Sequence, residues 1–441
     1  MSEALIKQID REIENAREAL ARDVVRLVHI KSVKGAPQPG APFGYGPQKV
    51  LDTVLEMGKQ QGFYPTDYEV GVVSLSLKEG MPDVGIWLHG DVVPEGEGWN
   101  YPPYDPTEYK GCIIGRGATD NKGQLCAIFH LLKIFKQLGI QLNYNPALFV
   151  GSNEETGMED VQAFLARYTP PRLSLVPDSS FPVGYGGKGA LHVTFRGKKP
   201  FSGLEITAGQ PENPGKANGR LYGKTIVTHS PPRHGANPDP NGNMITMLMD
   251  RLLEEPLEEE TRQVLAFFRR LSLDIHGDTF GINRPCPEMK PLTLSAQHID
   301  MEAGCPALTV NIRYPMGITA DEIVGLLEAE AQKSGLTVSR TKRGVEPYLL
   351  DKDLPVIQKL NTIANEVTGA DKPPYTLGGG TYAHRLPNAL AFGMDGSLPP
   401  EDFPKGRGGA HGLDECVSLD RLQRAMKIYA RTLLALNETA W

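Results

Sequence analysis

Three apolar runs rich in β-formers each stop beside a group that can carry charge. "VGIWLH" (84–89) ends on His89, with Asp91 two residues on. "PALFVG" (146–151) is followed by "SNEETGMED", which puts Glu154 and Glu155 just beyond the run. "LSLVP" (173–177) is followed at once by Asp178. Short runs of this kind, alternating with helical segments, predict an α/β fold with a mostly parallel sheet covered on both faces by helices. In open sheets of that class, ligands gather beyond the carboxyl ends of the strands. The Gly-rich segment "GRGATDNKGQ" adds Asp120 at the mouth of a helix, and only Arg116 and Lys122 bring local positive charge. Carboxylates brought to one edge repel strongly unless a cation neutralises them. Carboxylate with imidazole suits zinc, manganese or cobalt, and the number of candidate ligands suits two ions.

Taken singly, each of these residues has a plainer role. Asp120 and Asn121 suit the cap of a helix over 122–139, with Gly139 as its stop. Glu154 and Glu155 suit a solvated loop, Asp178 a turn, and His411 in "GGAHGLDECVS" a surface position. Their joint placement is what those roles leave unexplained. Other chemistries find less support. "GRGATDNKGQ" lacks the G-x-x-x-x-G-K-[ST] pattern of a phosphate-binding loop. No G-x-S-x-G occurs, and no cysteine lies beside a candidate base.

The alternation changes character along the chain. Helical periodicity covers 5–29 and 46–61. After a glycine cluster, "GYGGKG" (184–189), the segments "LHVTF" (191–195) and "ALTVNIRYP" (307–315) alternate with period two, as half-exposed strands do. "TADEIVGLLEAEAQKSG" (319–335) predicts a helix with a capping box between Thr319 and Glu322, followed by a strand at 336–340. A long helix at 353–369 and a buried strand at 389–393 return to the first pattern. A discontinuous catalytic domain, 1–185 and 346–441, is therefore expected, with an inserted α+β domain at 186–345. A chain of 441 residues is long enough for two such cores.

Composition narrows the partners. A net charge of −7 gives no basic footprint for nucleic acid or anionic membrane. No apolar run approaches the roughly 18 residues that span a bilayer, and the charged amphipathic N-terminus has no secretory h-region. Five scattered cysteines without a C-x-x-C pair read as free thiols of a reducing cytoplasm.

The order of the segments resembles the co-catalytic zinc peptidases that include carnosinase, bacterial PepV-type dipeptidases, aminoacylase and succinyl-diaminopimelate desuccinylase. The matching pieces are "HGDVVPEGEGWNYPPYDPTEYKGCIIGRGATDNKG", "NEETGMED", "VPDSSFPVGYGGKG", "VTHSPPRHGANP", "GGGTYAHRLPNALAFG" and "GAHGLDECVSLDRL". "SSFPVGYGGKG" and "GGGTYA" carry the likeness to the PepV-type dipeptidase branch. The resemblance implies that His89 and Asp178 hold one divalent ion, Glu155 and His411 the other, and Asp120 both, with zinc expected and manganese or cobalt as alternatives. It implies that Asp91 bonds the far nitrogen of His89 and fixes its tautomer. Glu154 is then the general base, taking a proton from a water that bridges the ions and passing it to the leaving amine.

The inserted domain becomes a lid. His229 resembles a lid histidine that helps polarise the scissile carbonyl, with His234 a nearby competitor. Asn218 and Arg313 resemble lid groups that hold substrate, and Gly379 and Gly380 bring backbone close to it. Gly187, where the dipeptidase branch commonly has Glu, and Leu398-Pro399-Pro400, where it often has Pro-Gly, depart from the pattern and bear on substrate choice. The expected activity is hydrolysis of dipeptides or very short peptides by a cytoplasmic monomer or homodimer. An N-acyl amino acid hydrolase or desuccinylase is the alternative, and a silent metal-binding relative a third reading that Glu154 argues against.

Overall fold

The computed structural model describes residues 3–210, 213–230, 238–239, 241–394 and 396–441. The chain divides into two compact units. One comprises 1–186, 350–375 and 381–441; the other comprises 187–349 and 376–380.

In the first unit, strands lie in the spatial order Tyr64–Asp67, Val72–Ser76, Pro146–Gly151, Val84–His89, Leu173–Val176, Ala389–Ala391 and Gly184–Gly187. The four from Pro146–Gly151 to Ala389–Ala391 pair parallel, and the outer ones are antiparallel. Every residue of Pro146–Gly151 and Val84–His89 is buried. That is why these strands read as continuous apolar runs and not as alternating ones. Their register is locked by Trp87, opposite Phe149, whose rings stack at 4.3 Å. Burying such a side chain is worth roughly 1.5–3 kcal/mol. The same register sets His89 beside Gly151, three residues before Glu154. Helices Gly123–Gln137 and Leu419–Ala435 pack against one another, the first buried over most of its surface.

The second unit is an antiparallel sheet in the order Lys224–His229, Asn213–Leu221, Leu204–Gln210, Thr293–Glu302, Cys305–Tyr314, Gly189–Gly197 and Leu336–Val345. One face packs on helices Met244–Leu253, Glu259–Leu273 and Ala320–Lys333 around a core that contains Leu191, Val193, Leu308, Val310 and Ile312. Period-two alternation then sends Thr309, Asn311 and Arg313 to the opposite face. The expected capping box forms: Thr319 accepts from the Glu322 amide, and Glu322 reaches back to the Thr319 backbone.

Two local expectations need correction. The helical stretch at 5–29 is two helices, Glu3–Asn15 and Arg17–Val28, broken at Ala16. Asp120 and Asn121 do not cap Gly123–Gln137; Lys122 stands at its N-cap with no side-chain cap bond. Asp120 lies in a preceding π-type turn with non-helical backbone (φ −141°, ψ 88°), and its carboxylate is engaged elsewhere.

Candidate metal centre

His89 and Asp91 leave the buried end of one strand together. The ring Nδ1 of His89 bonds the main-chain carbonyl of Asp91 at 3.0 Å, while the Asp91 carboxylate stays 3.6 Å away. Both polar groups of Asp91 thus face the ring, the carbonyl within hydrogen-bond reach and the carboxylate just beyond it. A carbonyl can only accept, so Nδ1 carries the proton and Nε2 is left for a ligand. The carboxylate instead accepts the backbone N–H groups of Glu154 and Glu155, each at 3.1 Å. It braces the turn that aims the two glutamates.

Asp120 sits between two imidazoles. Its Oδ1 is 3.0 Å from His89 Nε2 and its Oδ2 is 3.1 Å from His411 Nε2. His411 Nε2 also lies 3.0 Å from a carboxylate oxygen of Glu155. His89, Asp120 and Glu155 form one group whose ligand atoms lie within 4.8 Å of one another, and His89, Glu154 and Asp178 form a second. Asn121 donates to Asp178 Oδ1 at 3.2 Å and steadies it.

The charges show what this set lacks. Burial, then the charge of Asp178, pushes the Glu154 carboxyl well above the usual range. Burial and Asp120 raise Glu155, and the same two causes push Asp178 to about 7. Burial alone would raise Asp120 too, but the bonds from His411 and His89 hold it far below its ordinary value. Burial would lower the two histidines; their carboxylate partners overcome it, and His411 rises to about 11. One buried oxygen of Glu154 has no hydrogen bond to any described group. The site therefore wants more positive charge than two imidazolium protons supply. Two divalent ions in reach of the same Nε2 and carboxylate atoms fit that need.

Two supporting pairs were not anticipated. Glu415, wholly buried, accepts Arg116 Nη1 at 2.6 Å with one oxygen and the amides of Thr119 and Asp120, both at 3.0 Å, with the other. Arg116 also donates to the carbonyls of Pro94, Glu95 and His411 and lies 5.1 Å over the Trp99 ring. Asp160 Oδ2 accepts the amides of Ser152 and Asn153 and the Tyr382 hydroxyl, at 2.8, 2.9 and 2.5 Å. Gly151 is required there, because a Cβ would stand 2.0 Å from the Tyr382 oxygen. The charged character of Arg116 near the acids was the one sequence signal for the first pair; the second had none.

The remaining predicted residues belong to the second unit. His229 ends an edge strand and is exposed; Asn218 is half-buried, opposite Val227 and Thr207. Arg313 is half-buried and donates through Nε to Asn311. Gly379 and Gly380 lie beyond the strand Tyr375–Leu377, and a Cβ at Gly379 would meet no atom within 4 Å. His234 lies outside the described residues.

Comparison with known proteins gives the chain a family and its fold a likeness. A Staphylococcus saprophyticus protein named "Putative dipeptidase" is 26% identical over 471 residues, spanning 96% of this chain and 98% of that one. Human carnosine dipeptidase 1 shares the fold, with a TM-score of 0.67, 15% identity and coverage of 99% and 100% of the two chains. A Bacillus subtilis dinuclear metal-binding peptidase of the M20 family aligns with a TM-score of 0.52 and 10% identity over 97% and 100%. The model of Peptidase family M20/M25/M40 matches residues 86–435, and those bounds take in every residue of the acid and imidazole cluster. The chain belongs to Peptidase family M20/M25/M40 and is a hydrolase of the peptidase class.

Proposed function

We propose that this protein is a metal-dependent dipeptidase, cleaving dipeptides or very short peptides with a free C-terminus. The observation that carries the reading is Asp120, whose two carboxylate oxygens each address a different imidazole, His89 and His411. That is the arrangement of a carboxylate shared by two cations. His89 and Asp178 would hold one ion, Glu155 and His411 the other, with zinc the expected metal and manganese or cobalt able to serve. When bound, the ions supply Lewis-acid polarisation of the scissile carbonyl and lower the pKa of water in the site.

The chain's own groups do the rest. Glu154 is buried with a raised proton affinity, which suits a base that accepts a proton and returns it to the departing amine. Asp91 fixes where Glu154 and Glu155 point. In the second unit, which acts as the lid, His229 would polarise the carbonyl, with Asn218, Gly379 and Gly380 positioning the peptide. Arg313 would receive the C-terminal carboxylate. Among the described residues Arg313 pairs with no carboxylate, so its charge is left for an external anion. The relatives named as dipeptidases support the same substrate class.

We place the enzyme in the cytoplasm on its five free cysteines, and take it as a monomer or homodimer. No helix among the described residues is long and apolar enough to cross a membrane. Turnover of a dipeptide panel against an N-acyl amino acid panel, with added zinc or manganese, tests the assignment. Hydrolysis of the N-acyl compounds alone would replace it with a deacylase.

A further inference from the structure

We infer that Asn311 and His192 are positioning residues that hold the guanidinium of Arg313 so that its terminal N–H pair faces the substrate's carboxylate. The inference rests on the reading of Arg313 given above.

The three residues share one face of the lid sheet. Asn311 and His192 lie directly opposite each other on adjacent antiparallel strands, and Arg313 stands two residues further on, opposite Ala190. The other face of the same strand is core: Leu308, Val310 and Ile312 are fully buried. Arg313 Nε donates to Asn311 Oδ1 at 2.9 Å, and Asn311 Nδ2 meets His192 Nε2 at 2.7 Å. Asn311 is only 3% exposed.

The donor and acceptor roles follow from chemistry alone. A guanidinium can only donate, so the atom of Asn311 that faces Arg313 is its oxygen. The amide nitrogen is then the atom that faces His192, and it too can only donate. His192 Nε2 must therefore carry a lone pair. The relay has one direction, guanidinium to amide to imidazole, and it removes the rotational freedom of both the amide and the guanidinium plane. Nε is consumed, and the two Nη groups make no hydrogen bond within the described protein. They present an end-on fork that a carboxylate can meet bidentately.

The choice of asparagine at this position matters. An aspartate would hold Nε equally well, but would neutralise the guanidinium and compete with the substrate. A neutral acceptor orients the cation and leaves its charge whole. A hydrophobic residue would leave Arg313 free to rotate among its rotamers, and that freedom would be lost again on each binding event.

The test uses the full-length, metal-loaded enzyme and one good dipeptide substrate together with its C-terminal amide. Wild type, Arg313→Ala, Asn311→Leu, His192→Phe and His192→Gln are compared. Asn311→Leu should raise KM for the free acid roughly tenfold, the scale of one charge-assisted hydrogen bond, with little change in kcat. The amide should be almost untouched. Adding Asn311→Leu to Arg313→Ala should cost the acid nothing further, because both act on one contact. His192→Phe should show part of the loss, and His192→Gln, which keeps an acceptor for Asn311, should recover most of it. A merely structural pair would instead weaken acid and amide alike, and that result overturns the inference. If Arg313→Ala abolishes the preference for the acid while Asn311→Leu and His192→Phe keep it in full, the inference also falls and the reading of Arg313 stands. If Arg313→Ala itself leaves the preference unchanged, the carboxylate reading has failed and this inference goes with it. Should Asn311→Leu not fold, the two His192 variants make the same comparison.

Discussion

Glu415 accepts the backbone N–H of Asp120 at 3.0 Å while its other oxygen is bound to Arg116 at 2.6 Å. An ion pair thereby fixes the main chain of the residue that faces both imidazoles. Arg116 carries the constraint onward to the carbonyl of His411, so two of the proposed ligands are held by one buried contact.

Removing one partner of that pair should be costly. The two side chains are 2% and 1% exposed, and a buried pair broken on one side typically loses about 3–5 kcal/mol. Glu415→Gln keeps one acceptor oxygen but cannot serve Arg116 and the two amides together. Its metal affinity should fall about 10–100-fold, the usual effect of losing an outer-shell partner, and its melting temperature should drop. The double variant Arg116→Leu/Glu415→Leu should be more stable than Glu415→Leu alone, because it strands no charge. Thermal melts and metal content after dialysis check both statements. A Glu415→Gln protein with unchanged metal retention would show that Asp120 needs no such support.

Asp91→Asn separates the expected role of this residue from the observed one. If the carboxylate oriented His89, the variant would lose the ion held by His89 and Asp178. In the structure the Asp91 carbonyl already bonds His89 Nδ1, and substitution leaves the carbonyl in place. What is lost is acceptance of the Glu154 and Glu155 amides, since an asparagine can offer an oxygen to only one of them. Turnover should fall about 10²-fold or more through misplacement of the base, with the His89 ion retained. Cobalt-substituted spectra of the two sites would read the difference, and selective loss of the His89 ion would restore the orienting role.

The parts of this molecule that were legible in the chain are those where one element decides its own fate. Val84–His89 is buried on both faces, so its apolar run announces it; residues 308, 310 and 312 alternate because one face of their strand is core. The interior strand Asn213–Leu221, "NPGKANGRL", is poor in β-formers and gave no signal, because pairing on both sides makes it a strand. Asp120 read as a cap because local pattern cannot weigh a cap against His89 and His411, which arrive from 31 residues before it and from far beyond. Arg116 and Glu415 are 299 residues apart, and no periodicity links them. For Asp91, the i, i+2 spacing correctly put a polar group beside His89. It could not say that the carbonyl would lie closer to the ring than the carboxylate.

Glu154 and Glu155 are adjacent, and substitution should tell them apart. Glu155 lies within 3.1 Å of His411, whereas an oxygen of Glu154 is buried without a partner. Glu154→Gln should keep nearly normal metal content and lose about 10²–10⁴-fold in kcat, the range for a lost general base. Glu155→Gln should instead release metal. Elemental analysis beside steady-state kinetics decides the matter, and a reversed pattern would exchange their roles.

The last expectation concerns protons. The Asp178 carboxyl, with an ordinary value of 3.8, is pushed by burial and by Asp120 to about 7 in the folded chain. A carboxyl whose pKa is raised by folding holds its proton more tightly in the native state. Its contribution to stability is therefore complete below 3.8 and is lost as the pH rises through about 7. His411, raised from 6.5 to about 11 against the effect of burial by Asp120 and Glu155, loses its contribution only from 6.5 upward and is present in both proteins compared. Metal-stripped wild type should thus lose stability relative to metal-stripped Asp178→Asn between pH 4 and 7, and a flat difference in melting temperature would contradict the burial of this acid. Loading metal should reverse the order, because the ionised carboxylate then has a cation to hold. For the same reason metal binding at pH 7 must expel protons from His411 and in part from Asp178. Apparent affinity should climb with pH through neutrality, and titration calorimetry in two buffers of different ionisation enthalpy should report at least one proton released as the site fills.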